Sequence, residues 1–180
     1  MKIDAIDITK ENIKKSTCSC PARFVTHCER ETEAVGAALA QVIIEDEELN
    51  RSKLQNENRE YPFIALYGGM GAGKTVFVRG FASLFSPGAA VRSPTYTVAN
   101  EYKTGKYNLY HFDLYRITDA DDLYSTGYFE YIDSGVCIAE WSENAHGCLP
   151  RHIWRVDIEH GTDENERILT ICRAKTEGGV

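Results

Sequence analysis

The chain has 180 residues, 43% of them hydrophobic and 26% charged, enough apolar content for the core of one globular domain. Its 20 basic and 27 acidic residues leave a net charge of −7, which argues against a protein that grips nucleic acid unaided, because phosphate neutralisation dominates such binding. No apolar run approaches the roughly 18 residues of a membrane span, and Met1 to Lys15 mixes acids with lysines instead of forming a signal peptide, so a cytoplasmic location is expected.

Residues 1–22 carry no sustained period and read as a loosely ordered N-terminal extension. The six cysteines, without a secretory signal, read as reduced thiols. Cys18, Cys20, His27 and Cys28 lie close together, but their spacing matches no common zinc module. Thr26 and Glu29 have capping-box spacing, and behind them Val35, Ala38, Leu39, Val42 and Ile43 form the apolar stripe of a helix. From Glu45 to Glu60 the chain is almost wholly polar and reads as a solvated helix end and surface loop. The main domain is therefore expected over residues 23–175, with a polar insertion at about 45–62.

Phe63 to Tyr67 is an apolar run of strand length, stopped by Gly68 and Gly69. Phe77, Phe81, Leu84 and Phe85 then repeat helically until Ser86-Pro87-Gly88. Tyr107 to Asp113 reads as a strand ending in an acid, and Thr118 and Asp121 have the spacing of a helix cap and its partner. Val136 to Ala139 is a buried-type strand running into Glu140. Trp154, Val156 and Ile158 alternate with Arg155, Asp157 and Glu159, and a turn near His160-Gly161 leads to Ile168–Ile171, which predicts a hairpin.

Gly68-Gly69-Met70-Gly71-Ala72-Gly73-Lys74-Thr75 fits G-x-x-x-x-G-K-[ST] at every fixed position, between a strand and a helix. Glycines let the backbone curl so that successive N–H groups face phosphate oxygens, and the following helix presents its positive end to the same anion. Lys74 is placed to reach the β- and γ-phosphates, and the Thr75 hydroxyl suits Mg²⁺. Such a loop needs a further acid near the metal, at the end of an adjacent strand. Asp113 and Glu140 both qualify, and spacing leaves open which touches the metal and which orients water. The D-x-x-G and N-K-x-D signatures of GTPases are absent, which favours ATP.

These residues resemble a known family. Gly68 to Phe77 (GGMGAGKTVF), Ser93-Pro94-Thr95-Tyr96, Tyr110 to Arg116 (YHFDLYR) and Glu140-Trp141 recur in the same order in the TsaE (YjeE) family, over about Phe24 to Ile171. The resemblance implies a three-layer α/β P-loop fold with a mixed sheet. It implies an ATPase, weak alone, that works with TsaD and TsaB in threonylcarbamoyl modification of tRNA adenosine next to the anticodon, with tRNA met only through that complex and no membrane. By the match, Thr75 and Glu140 hold Mg²⁺ and Asp113 is the catalytic acid. Thr95, within the Ser93–Tyr96 block, belongs to a switch-like segment that senses the γ-phosphate. Trp141 stands beside the metal acid, and Arg167 aligns with a C-terminal arginine near the nucleotide. The chain departs from the family at Gly69, where aspartate is usual, in the long stretch from Glu45 to Pro62, and in its first twenty residues.

Two other readings compete. A small-molecule P-loop kinase should carry a lid with several arginines, and Arg151 and Arg155 form no recognisable lid. A nucleotide-dependent binding switch with little hydrolysis would differ in phosphate release.

Overall fold

The computed structural model describes residues 10–51, 60–94, 97–103, 108–145 and 147–177. Among them, seven strands form one sheet: β1 (Ala22–Thr26), β2 (Phe63–Tyr67), β3 (Ala99–Lys103), β4 (Asn108–Asp113), β5 (Val136–Glu140), β6 (His152–His160) and β7 (Arg167–Lys175). Their spatial order is β1-β7-β6-β2-β5-β4-β3. The central strands β6, β2, β5 and β4 run parallel, and the outer pairings β1–β7, β6–β7 and β3–β4 are antiparallel. This is the expected mixed sheet, with the expected hairpin as β6–β7.

The central strands are covered on both faces, which is why β2 and β5 read as continuous apolar runs. Ile64, Leu66, Leu109, Ile138, Val156 and Ile158 face α1 (Glu29–Arg51) and α2 (Lys74–Phe85). Phe63, Ala65, Tyr110, Phe112, Cys137 and Ala139 face a thinner layer carrying α3 (Ala120–Ser125) and α4 (Tyr128–Ile132) through Leu123 and Tyr128. The alternation continues to the strand ends. His111 and Asp113 follow Leu109, and Glu140 follows Ile138, so these polar groups fall on the α2 side.

All five residues of the predicted α1 stripe are buried, as are Phe77, Phe81 and Phe85 of α2, whereas Leu84 is 43% exposed and lies off that face. The two helices meet at two glycines. A Cβ on Gly80 would lie 1.9 Å from the Glu33 carbonyl oxygen, and one on Gly36 2.3 Å from that of Phe77. Any larger residue would force the helix backbones apart.

Several local expectations are corrected. Thr26 ends β1, and its hydroxyl meets that of Thr32 at 2.8 Å instead of capping a helix. The α3 cap is Asp119, which accepts from the Asp122 N–H at 2.9 Å, one residue beyond the Thr118–Asp121 pairing. Aspartate caps at least as well as threonine, so the later site wins. Strands β1 and β3 lie at the sheet edges, where short, half-exposed sequences leave little alternation to read.

Residues 10–21 pack instead of trailing. Residues 10–14 form a helical turn, Ile13 is fully buried, Lys10 and Lys14 reach Glu45, and Thr17 bridges Arg173. One isoleucine creates no period, yet it suffices as an anchor. Helix α1 runs to Arg51, into the expected polar insertion, and 52–59 lie outside the described residues. Among the described residues, no helix is long and apolar enough to cross a membrane.

Candidate functional site: the phosphate loop and its acids

Strand β2 delivers the chain to Gly68, and α2 begins at Lys74. Gly68 has φ 143°, and a Cβ there would sit 2.3 Å from the Ile158 carbonyl oxygen, so only glycine fits. Gly73 is the α2 N-cap at φ 105°, and no side chain caps the helix start. The first-turn N–H groups are thus left for an anion. Gly69 differs: its Cβ would meet nothing within 4 Å, so glycine there is not enforced sterically.

The loop borders a cleft of about 390 Å³ lined by Met70 to Val76, Ser93, Asp113, Tyr115, Glu140 and Trp141. Lys74 Nζ donates to the carbonyls of Gly68 at 2.5 Å and Gly69 at 2.9 Å, and lies 3.7 Å from the Trp141 ring centroid. Burial lowers the Lys74 pKa, while Glu140, Glu143 and Asp113 pull it back up. Trp141 itself sits at φ 60°, an uncommon backbone for a bulky residue, directly after Glu140. Tyr115 packs on it with ring centroids 5.0 Å apart.

The Thr75 hydroxyl donates to Glu140 Oε1 at 2.8 Å and to Oε2 at 2.9 Å. Octahedral Mg²⁺, with oxygens at about 2.0–2.1 Å, separates neighbouring ligand oxygens by about 2.9 Å. The all-oxygen pair Thr75–Glu140 therefore has the chemistry and spacing for that ion. Glu140 is 3% exposed and also contacts Nε2 of the fully buried His111 at 2.9 Å. With Glu140 ionised, Nε2 carries the proton and donates. His111 Nδ1 is buried with no hydrogen-bond partner among the described residues.

Asp113 is the register partner of Glu140 on the adjacent strand. Its carboxylate accepts from Ser93 Oγ at 2.5 Å and from the Tyr115 N–H at 3.1 Å, and its own N–H donates to the Val98 carbonyl at 3.0 Å. Val98 holds φ 64°, strained for a β-branched residue. Thr95 and Tyr96 lie outside the described residues.

Arg167 approaches the loop from β7. Its Nε donates to the Ala72 carbonyl at 3.1 Å and Nη2 to that of Gly71 at 3.4 Å, while Nη1 holds the Glu164 and Glu166 carbonyls. With Cys28, Glu29, Thr32 and Asn165 it lines a narrow recess of about 120 Å³ on the other side of Gly71 and Gly73. Among the described residues, the loop residues, Asp113, Glu140 and Trp141 thus converge, and Arg167 braces the loop. Contributors missed by sequence reasoning include Tyr115, Asn165 and His111. Asn165 offered no signal. His111 did: it stands two residues before Asp113, hence on the same strand face.

A family model, Threonylcarbamoyl adenosine biosynthesis protein TsaE, matches residues 26–169. The chain belongs to the TsaE family. TsaE of Aquifex aeolicus is 40% identical over 142 residues, covering 75% of this chain and 97% of the relative. TsaE of Bacillus subtilis is 39% identical over 109 residues, 59% of this chain and 68% of the relative. TsaE of Haemophilus influenzae is 39% identical over 101 residues, 56% of this chain and 64% of the relative. All three are named tRNA threonylcarbamoyladenosine biosynthesis proteins. The crystal structure of Bacillus subtilis YdiB matches with a TM-score of 0.58 and 27% identity, covering 86% of each chain. The TsaE family acts in tRNA threonylcarbamoyladenosine biosynthesis, and the fold here is of the P-loop nucleotide-binding type.

Proposed function

We propose that this chain binds ATP with Mg²⁺ at the loop cleft and hydrolyses it, weakly alone and faster in a complex with partners resembling TsaD and TsaB. In that complex hydrolysis would serve threonylcarbamoyl transfer to tRNA. The observation that carries the reading is the meeting of Thr75, at the start of α2, with Glu140 and Asp113, at two neighbouring strand ends, in front of the phosphate loop.

The chain's own groups divide the work. Backbone N–H groups of the loop and the α2 start hold phosphate oxygens, and Lys74 leaves the Gly68 and Gly69 carbonyls to meet the β- and γ-phosphates. Thr75 Oγ1 and Glu140 would hold the metal, with His111 fixing the carboxylate. Bound Mg²⁺ would supply positive charge that offsets the charge of the phosphates. Asp113 orients water at the γ-phosphate, itself aimed by Ser93 and the Tyr115 N–H. Arg167 keeps the loop curled from behind. The net charge of −7 supports tRNA contact through partners and not through this chain alone.

Isothermal titration of ATP onto the Lys74→Ala variant tests the cleft. Affinity should fall about 100-fold, because charge-assisted contacts to phosphate are lost in a dry site. Unchanged affinity would remove the reading. Phosphate release measured with and without TsaD- and TsaB-like partners tests the complex, and no acceleration would leave a binding switch.

A further inference from the structure

Strand β7, which braces the phosphate loop through Arg167, carries further along it one of a pair of thiols that nucleotide chemistry does not use. Cys18 precedes β1, and its Sγ lies 3.2 Å from Sγ of Cys172 on β7 and 3.3 Å from the Arg173 carbonyl oxygen. Two sulfurs at that distance are in direct contact, and either thiol can donate to the other. Strand β7 runs from Arg167 at the loop to Lys175, so Cys172 stands five residues along the strand from the loop contact.

The approach is built by the backbone and by a core anchor. Thr17 and Cys20 exchange N–H···O bonds at 3.0 Å in both directions, closing a tight turn that contains Cys18. Thr17 also bridges Arg173 on β7. Ahead of the turn, Ile13 is fully buried and Lys14 binds Glu45 of α1. Both cysteines lie outside residues 26–169, the part of the chain that the TsaE family model covers.

We infer that Cys18 and Cys172 are a disulfide-forming pair, oxidised by a small-molecule disulfide such as oxidised glutathione, which fastens the N-terminal segment covalently to β7. The two thiols have unequal roles. Cys18 is exposed and meets the oxidant, whereas Cys172 is buried, and burial pushes its thiol up to about 12. The Cys18 thiolate attacks one sulfur of oxidised glutathione, forming a mixed disulfide and expelling one glutathione thiolate. Cys172 then loses its proton to solvent and attacks Cys18 Sγ. The protein S–S bond forms as the second glutathione thiolate departs. Two protein thiols are oxidised and one glutathione disulfide is reduced to two glutathiones.

Closing a covalent loop between positions 18 and 172 spans nearly the whole domain. Its main effect is to restrict the unfolded chain, so the oxidised protein is more stable. In a reducing compartment the pair stays open, and it closes when the glutathione pool turns oxidising.

The test treats the full chain with oxidised glutathione, blocks remaining thiols and digests with trypsin without reduction. A Cys20→Ser background makes the assignment unique, because Cys18 and Cys20 share the tryptic peptide 16–23. The expected product joins peptides 16–23 and 168–173, lighter by two hydrogens than the sum of the reduced peptides. The melting temperature should rise by roughly 5 °C or more and return on reduction. ATP affinity should not change, since Cys172 lies five residues along β7 from Arg167 and lines neither the loop cleft nor the recess beside it. In Cys172→Ser, Cys18 should stop at the glutathione adduct with no gain in melting temperature. A glutathione adduct accumulating on Cys18 while Cys172 remains a free thiol, or a Cys18–Cys28 link, would overturn the inference.

Discussion

The two acids of the cleft sit on neighbouring strands at the same register, yet they are held in different ways. Glu140 is fixed by groups that belong to regular elements, Thr75 in the first turn of α2 and His111 inside β4. Asp113 is held from the segment before β3, through Ser93 Oγ and the carbonyl of Val98. Val98 sits at φ 64°, a conformation that costs on the order of 1–3 kcal/mol for a non-glycine residue. Under the proposed function, the side that would hold the metal is preformed by the core, and the side that would orient water is set by a strained segment. On that proposal, such a division would let binding stay constant while hydrolysis responds to whatever touches the strained side.

The comparison breaks if the two acids behave alike. Asp113→Ala should lower turnover by about 100-fold or more while ATP affinity stays within about threefold, because the water-orienting group acts after binding. Single-turnover phosphate release beside an ATP titration checks this, and a matched loss of affinity would merge the two sides. Glu140→Ala should do the reverse. ATP binding should weaken about 30-fold in Mg²⁺ and hardly at all in chelator, as expected for loss of a metal ligand.

Smaller effects sharpen the division. His111→Ala should raise the Mg²⁺ concentration needed for half-maximal ATP binding by about tenfold, while His111→Gln, whose amide can still donate to Glu140, recovers much of the loss. Equal defects in both variants, with equally lowered melting temperature, would make His111 a packing residue only. Ser93→Ala should reduce turnover by about threefold and leave Mg²⁺-dependent binding unchanged, since Asp113 keeps the Tyr115 N–H. A larger effect on binding than on turnover would place Ser93 on the metal side instead.

How far the site was legible depended on chain distance. The loop from Gly68 to Thr75 is contiguous, so its glycines, lysine and threonine declared themselves as a motif. Asp113 and Glu140 were visible as acids at strand ends, but nothing local said which of them touches Thr75. His111 was readable in principle from its two-residue offset to Asp113, although its partner Glu140 lies 29 positions away. Asn165 and the recess around Arg167 exist only because β7 returns beside the loop.

The sequence by itself determined the elements with strong period and the chemistry of the phosphate loop. Hydrophobic repeat and glycine placement are local properties, written within a few turns or one strand. Tertiary structure alone decided the glycine contacts between α1 and α2, the burial of Ile13, the order of the strands and the sharing of Glu140 by Thr75 and His111. Each of these joins groups far apart in the chain, and the free energy of such contacts comes from burial and close approach that exist only after the sheet has assembled.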